Sequence, residues 1–189
     1  MFLLKRPARR QIEAVLQKQR VAAFSYRAVG ATRGERFPPG FHLDRNSVRL
    51  GSGSDALQAA KSGLREWAMM DLGWLKAFPA AETIQPGMDV AVVVSHLGFW
   101  SVNVSRIVYV AETQSSYSFA YGTLAEHAES GEERFTVAQR DDGAVWYEIV
   151  AFSRPRHPMA RIGYPFARTL QRRFARDSMA RMKAAAAGW

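Results

Sequence analysis

The chain has 189 residues, of which 48% are hydrophobic, 12% aromatic and 23% charged. These fractions are typical of a single globular domain over residues 1–189, and they exclude a disordered or collagen-like chain. The sequence contains no cysteine, which excludes disulfide bonds, thiol nucleophiles and zinc sites built from thiolates.

Positive charge is concentrated at the two ends of the chain. The formal net charge is +9, with +5 in residues 1–20, +8 in residues 154–189 and a mildly acidic centre. Apolar runs such as residues 90–94 are too short to span a bilayer, and the N-terminus becomes basic before a signal-peptide core develops. We therefore expect a cytoplasmic protein with basic terminal helices on a neutral or acidic body.

The first part of the chain predicts alternating helices and strands. Residues 7–20 have the pattern of a short basic helix. Residues 21–31 are rich in aromatic and β-branched side chains and predict a strand, and residues 42–50 predict a second one. Ser52 or Ser54 then caps a helix with apolar residues at helical spacing, namely Leu57, Ala60, Leu64, Trp67 and Ala68.

The middle of the chain has the period-two pattern of β-strands. Five strands are predicted, over residues 88–94, 100–111, 117–124, 132–140 and 144–152. Because only short breaks rich in Gly, Asp and Ser separate them, they predict an antiparallel meander. The Asp142-Gly143 pair predicts a two-residue hairpin turn between the last two strands, since both residues tolerate positive φ.

The end of the chain predicts a long amphipathic helix over residues 158–186. Pro165 lacks the amide hydrogen that a helix interior needs, so we expect a kink or break near Gly163 to Pro165. One side of this helix is apolar and contains Ile162, Phe166, Leu170 and Phe174. Another side is cationic and contains Arg161, Arg168, Arg172, Arg176 and Lys183.

This order of elements predicts an α+β fold in which a curved antiparallel sheet is wrapped on a long C-terminal helix. No other helix is long enough to cover the sheet, so Phe166, Leu170 and Phe174 should point toward it. This is the helix-grip arrangement of Bet v 1-like and START-like domains. Such folds often leave a cavity for a small apolar or amphipathic molecule, although a fully packed core also fits the pattern.

Several short motifs resemble those of a known family. They are Tyr121-Gly122-Thr123-Leu124, His127, Gly131-Glu132-Glu133 and Ala151-Phe152-Ser153-Arg154-Pro155. The chain resembles, over nearly its whole length, uncharacterised protein family 0548, a domain of unknown function found in bacteria and plants. The family looks related to the helix-grip superfamily, so the resemblance implies that fold and implies no activity.

One histidine and three glutamates lie within seven residues, on a loop that enters a predicted strand: His127, Glu129, Glu132 and Glu133. Glu132 and Glu133 must point to opposite faces of that strand. Three interpretations remain open. The glutamates form ion pairs with Arg134, Arg154 or Arg156; or a glutamate and His127 transfer protons; or His127 and one or two glutamates bind a metal.

The sequence leads to three functional hypotheses. The first is a small-molecule binding protein whose hydrophobic or amphipathic ligand contacts Tyr121, Tyr147, Glu148, Arg154, Phe166 and Leu170. The second is an enzyme of the same fold that uses His127, Glu129 and Glu133 for proton transfer. The third is a basic surface that contacts anionic membrane or nucleic acid weakly through Arg161, Arg168, Arg172 and Arg176.

No cofactor or metal is expected. Gly51 and Gly53, with Ala56, fit a loose dinucleotide-binding pattern ahead of a helix. That pattern requires a parallel βαβ continuation, whereas the strands that follow predict an antiparallel sheet. We therefore interpret the two glycines as turn and cap residues.

Overall fold

The computed structural model describes residues 1–79, 83–96, 98–125, 127–156 and 164–187. The described residues contain an eight-stranded antiparallel sheet. Its strands are β1 Phe2–Leu3, β2 His42–Ser52, β3 Leu75–Phe78, β4 Asp89–Ser95, β5 Trp100–Glu112, β6 Ser116–Thr123, β7 Glu129–Gln139 and β8 Ala144–Pro155. Three α-helices accompany it: α1 Arg9–Gln19, α2 Gly53–Arg65 and α3 Tyr164–Ala186.

The sheet is a meander to which the early strands are added at the edges. The order of strands is β2-β8-β7-β6-β5-β4-β3, and β1 pairs with β5 off this path. The predicted antiparallel meander over β4 to β8 is confirmed. Register shifts interrupt the β2–β8 pairing between Arg49 and Gly51, and the β5–β6 pairing between Ile107 and Tyr109. Such bulges bend strands, which suits a sheet that curls around a helix.

The main core fills part of the space between the concave face of the sheet, α2 and α3. Its largest fully buried side chains include Trp67, Phe119, Phe135, Tyr147 and Met182. Phe119, Phe135 and Tyr147 come from the neighbouring strands β6, β7 and β8 and lie on one face of the sheet, and Trp67 packs edge-on against Phe119. The long C-terminal helix therefore lies over the sheet as the amphipathic pattern predicts.

A second, smaller core lies on the convex face and explains why β4 is apolar at every position from Val90 to Val94. Val90, Val92 and Val94 belong to the main core, whereas Ala91 and Val93 pack in the second core with Ile12 of α1 and with β5. Burial of both faces removes the polar alternation that a half-exposed strand would show.

The predicted strand over residues 21–31 is wrong. Only an isolated bridge between Phe24 and Leu124 forms there, and the segment ends in a 3-10 turn at Ala31–Arg33. Ser25 N donates to Thr123 O of β6, but the backbone at the end of the segment binds a distant side chain instead of a strand. Gly30 N and Thr32 N both donate hydrogen bonds to the carboxylate of Glu132, at 2.7 and 3.0 Å.

Two turn predictions are modified by the structure. The hairpin between β7 and β8 occurs where Asp142-Gly143 predicts it, and Gly143 has φ of +78°. Arg140 N donates to Ala144 O, however, which leaves a three-residue loop instead of two residues. Pro165 lies in the first turn of α3, where its missing N–H costs nothing, and the expected break near Gly163 lies outside the described residues.

Glu132 holds the segment of residues 21–33 against the convex face of the sheet. Its carboxylate accepts hydrogen bonds from Tyr26 Oη at 2.6 Å and from Thr32 Oγ1, in addition to the two backbone amides. Glu132 is only 2% exposed, and an ion so deeply buried requires this number of donors. Gly122 is paired with Glu132 across the sheet, and a Cβ there would lie 2.0 Å from Tyr26 Oη.

We expect Gly122→Ala to destabilise the protein by about 2–4 kcal/mol, because the methyl group displaces Tyr26 from Glu132. Urea denaturation measures the loss. Gly34→Ala is the matched control, since a Cβ at Gly34 meets nothing within 4 Å. In a Tyr26→Ala background the Gly122→Ala substitution should cost much less; an unchanged cost there would contradict the assigned clash.

Candidate functional site

A cavity of about 800 Å³ lies between the concave face of the sheet and the N-terminal half of α3. Its apolar wall is formed by side chains from β3, β4, β8 and α3, from a second 3-10 turn at Ala68–Met70, and from Trp74 just before β3. They include Met70, Trp74, Leu75, Val92, Val94, Ile149, Leu170 and Phe174. α3 faces the cavity with the large apolar residues Phe166, Leu170 and Phe174 and, between them, with small or polar residues such as Ala167, Gln171 and Ala175.

The rim of the cavity is aromatic. Phe166 and Phe2 line it and are 46% and 66% exposed. The Phe2 ring packs edge-on against Phe99 with centroids 5.8 Å apart, and Phe99 stacks on His96 at 4.5 Å. These rings combine contact with the cavity and contact with solvent, as expected for an opening.

Tyr121 and Glu133 form a dyad inside the cavity. They are directly paired across β6 and β7, and Tyr121 Oη donates to Glu133 Oε2 at 2.6 Å. The pKa of Glu133 is raised to about 7, mainly by burial; the Tyr121 hydrogen bond lowers it, and the charges of Glu129 and Asp44 raise it. Burial also raises the pKa of Tyr121 well above its ordinary value, so the tyrosine remains the donor.

Glu129 lies on the same face of β7 and is bound by α3. Gln171 Nε2 donates to both of its carboxylate oxygens, at 2.9 and 2.8 Å. Burial raises the pKa of Glu129, whereas the Gln171 hydrogen bond and the charge of Arg168 lower it. Gln171 Oε1 in turn accepts a hydrogen bond from Arg168 Nη1 at 2.7 Å.

Arg168 connects α3 to the far edge of the sheet. Its two terminal nitrogens donate to the two oxygens of Asp44 on β2, at 2.5 and 2.6 Å. The sequence pattern places Arg168 on a cationic outer face of the helix, and this placement is wrong. The Arg168 side chain is only 18% exposed because Asp44, which the helix pattern alone does not reveal, faces it from β2.

His127 also lines the cavity, but it is not joined to a carboxylate. Its Nδ1 accepts a hydrogen bond from Glu129 N at 3.0 Å. Burial lowers the pKa of His127 to about 4, so the ring is neutral near pH 7. Among the described residues, no carboxylate lies within ion-pair distance of this ring, and no group of three or more His, Cys, Asp or Glu forms a metal site.

The structure brings some of the predicted ligand contacts together and separates others. Tyr121, Phe166 and Leu170 line the cavity. Tyr147 is fully buried beneath α3, where its hydroxyl lies 2.8 Å from Ser178 Oγ. Phe174, predicted to face the sheet, does so with its ring centroid 6.3 Å from that of Phe135.

Glu148 and Arg154 lie on the convex face, away from the cavity. Glu148 is bound by Arg134 Nη2 at 2.6 Å, and Arg154 lies over the ring of Phe41 at 4.5 Å. Both alternate with the inward-facing residues of β8, so strand geometry alone separates them from the site. The expected pairing of a glutamate with Arg134 thus occurs at Glu148, whereas Glu132 and Glu133 accept hydrogen bonds from uncharged donors.

A polar row on β5 is missed by the sequence analysis. Ser101, Asn103 and Ser105 line the cavity; Ser101 Oγ lies 2.8 Å from His96 Nε2 and accepts a hydrogen bond from Asn103 Nδ2 at 3.0 Å. Alternation of polar residues with valines normally indicates a solvent-facing row. Here Val102 and Val104 pack on the convex face with Ile12 of α1, so the polar row between them faces the cavity.

The remaining predicted surface arginines lie on α3 or outside the described residues. Arg172 and Arg176 are exposed, and Arg176 Nε lies 3.0 Å from Asp177 Oδ1. Arg161 is outside the described residues. Contact with anionic membrane or nucleic acid therefore stays a prediction. Within the described ranges, no helix is both long enough and apolar enough to cross a membrane.

Comparison with known proteins assigns the family. Residues 8–181 match the family described as "Domain of unknown function (DUF1990)". The chain belongs to this family. A UPF0548 protein from Deinococcus radiodurans is 35% identical over 198 residues, covering 100% of both chains. Another, from Dictyostelium discoideum, is 30% identical over 203 residues, covering 96% of this chain and 94% of the relative. The resemblance carried by the Tyr121 and Glu133 motifs is confirmed.

Solved structures share the fold at low identity. A hypothetical protein from Helicobacter pylori matches with a TM-score of 0.58 at 11% identity, covering 87% of this chain and 99% of that one. The Zhui aromatase/cyclase from Streptomyces matches with a TM-score of 0.54 at 10% identity, covering 77% of this chain and 93% of that one. A START superfamily protein from Mycobacterium smegmatis matches with a TM-score of 0.50 at 12% identity, covering 77% of this chain and 99% of that one. The DUF1990 chain thus has the helix-grip fold, as predicted.

We expect Glu133→Gln to remove the loss of unfolding free energy that the buried, ionised Glu133 carboxylate causes at high pH. Because burial raises the Glu133 pKa from an ordinary 4.5 to about 7, the folded state binds the proton more tightly than the unfolded state does. Protonation of Glu133 therefore stabilises the folded state, and this stabilisation is lost as the pH rises through 7. The unfolding free energy of Glu133→Gln relative to the unsubstituted protein should be higher at pH 8 than at pH 5 by about 2–3 kcal/mol.

Urea denaturation at the two pH values measures this difference. The matched control is Glu66→Gln, which removes the same charge from an exposed position after α2. If Glu133→Gln and Glu66→Gln show the same pH dependence, the buried environment assigned to Glu133 is wrong.

Proposed function

We propose that this DUF1990 protein binds a small hydrophobic or amphipathic molecule between the sheet and α3. The observation that carries the proposal is the cavity of about 800 Å³, which has an apolar wall and a cluster of polar groups at one end. Its volume falls in the range of about 300–1,000 Å³ typical of small-molecule sites. The polar groups would orient the ligand, and the apolar wall would supply most of the binding free energy.

The arrangement of α3 supports ligand binding over incomplete packing. Protein interiors are normally filled to the density of organic crystals. Here α3 is bridged to the sheet by the Arg168–Asp44 and Gln171–Glu129 contacts, and both contacts occur at the wall of the cavity. Polar bridges of this kind keep the space from collapsing. Similarity to START and aromatase/cyclase structures is consistent with a cavity-based role.

A second proposal is proton transfer on the bound molecule. It is favoured by the Tyr121–Glu133 dyad, because a carboxyl with a pKa of about 7 exchanges protons readily near neutral pH. His127 is less suited to act as a base than the sequence suggests, since burial lowers its pKa to about 4. Glu129 would contribute its charge, and Tyr121 would supply a hydrogen bond.

We expect Leu170→Trp to weaken binding of the neutral apolar fluorophore N-phenylnaphthylamine by about tenfold or more, because the indole occupies cavity volume. Fluorescence titration measures the affinity. Thr169→Trp adds the same ring to the neighbouring exposed position of α3 and should leave the affinity unchanged. Native mass spectrometry of freshly purified protein would additionally identify a retained molecule.

Two results would contradict the binding proposal. One is that the unsubstituted protein neither retains a small molecule nor binds the fluorophore. The other is that Leu170→Trp, while still folded by circular dichroism, binds the fluorophore as tightly as the control does.

A further inference from the structure

The charges inside the cavity are opposite in sign to the charge of the whole protein. The chain has a formal net charge of +9, yet four acidic residues line the cavity. One of them, Glu132, directs its carboxylate to Tyr26, Gly30 and Thr32; the other three are Asp44, Glu129 and Glu133. Arg168 faces them from α3, and Arg172 lines the cavity from an exposed position. Net charge therefore does not explain the acidic interior, and the cavity requires an explanation of its own.

The buried guanidinium group does not neutralise this excess. Arg168 directs two of its nitrogens to Asp44 and also donates to Gln171. The Asp44–Arg168 pair is therefore internally compensated. Glu129 receives its side-chain hydrogen bonds from the uncharged amide of Gln171, and Glu133 receives one from the uncharged hydroxyl of Tyr121.

Glu133 in particular has acceptor capacity to spare. An ionised carboxylate offers about four lone-pair sites, whereas Tyr121 provides one hydrogen bond to Oε2. Among the described residues, no other side chain donates to this carboxyl. A buried ion with a single neutral donor is poorly compensated, but a ligand ammonium group would bring three N–H donors and a positive charge.

We propose that the cavity takes a cationic amphiphile, with its apolar body against the wall of Leu170 and Phe174 and its ammonium group against Glu133. This inference rests on the proposed binding function and specifies the chemical class of the ligand. Glu129 adds an attractive field from the same strand. An amphiphile with a carboxylate head would meet repulsion at the same position, and a neutral alcohol would gain hydrogen bonds without charge compensation.

The inference also predicts how binding depends on pH. The titratable groups that face Glu133 are Tyr121 on β6, Glu129 on β7, Asp44 on β2 and Tyr147 on β8. The guanidinium group of Arg168 on α3 forms its ion pair with Asp44. A ligand cation favours the ionised form of Glu133, whose pKa without ligand is about 7. Affinity should therefore increase about tenfold between pH 6 and pH 8, and binding at pH 6 should release a proton.

Isothermal titration with decylamine, decan-1-ol and decanoate compares three heads on one alkyl chain. Decylamine should bind at least about tenfold more tightly than the other two at pH 8. Glu133→Gln should abolish this preference, whereas the exposed Glu66→Gln should retain it. Titrations of the unsubstituted protein at pH 6, in two buffers with different ionisation enthalpies, measure proton release without any substitution.

The possible failures are distinguishable. If decanol or decanoate binds as tightly as decylamine, or if no proton is released at pH 6, the cationic ligand class is wrong although the protein still binds small molecules. If none of the three binds and N-phenylnaphthylamine does not bind either, the proposed function fails as well.

Discussion

The cavity depends on the unequal way in which α3 is held against the sheet. The C-terminal half of the helix packs closely, with Ser178 and Met182 fully buried. Close approach there also requires Gly63 on α2, where a Cβ would lie 3.0 Å from the Cβ of Ala185. The N-terminal half is instead joined to the sheet by the Arg168–Asp44 ion pair and the Gln171–Glu129 hydrogen bonds. The helix thus has a closely packed end and an end bridged by polar groups, and the cavity lies beneath the second.

The sequence motifs shared with the family divide between the two faces of the sheet. Tyr121 and Glu133 point into the cavity, whereas the next pair, Gly122 and Glu132, points to the convex face and holds Tyr26. Adjacent residues therefore have separate functions because strand side chains alternate. The convex pair anchors the loop that covers the outside of the sheet, and the concave pair contributes a hydrogen-bonded polar group to the wall of the cavity.

Local patterns in the sequence were sufficient to predict the fold, and long-range contacts account for what they missed. The meander follows from period-two alternation, and the amphipathic pattern predicts α3. Residues 21–31 have strand propensity, but Glu132, about a hundred positions later, accepts hydrogen bonds from the amides of Gly30 and Thr32 at the end of this segment. For the same reason Arg168 was misplaced, since its orientation depends on Asp44. The inward row of Ser101 and Asn103 was hidden because both faces of β5 are covered.

Within the site, Glu133 and His127 respond to pH in opposite directions, and this bears on how an acidic cavity persists in a stable protein. Burial raises the Glu133 pKa to about 7 and lowers the His127 pKa to about 4. As the pH falls from 7 toward 4.5, protonation of Glu133 stabilises the folded state, because the folded carboxyl binds the proton more tightly than the unfolded one. Over nearly the same interval the unfolded His127 takes up a proton that the folded ring resists, which destabilises the folded state.

The two contributions are similar in size and opposite in sign, so they largely cancel in the free energy of unfolding. They do not cancel in the cavity, because in the folded state Glu133 loses its charge near pH 7 while His127 stays neutral until about pH 4. The charge in the cavity therefore changes near pH 7 while the contributions of these two groups to stability offset each other. Without His127, the contribution of Glu133 to the pH dependence of stability would have no such offset.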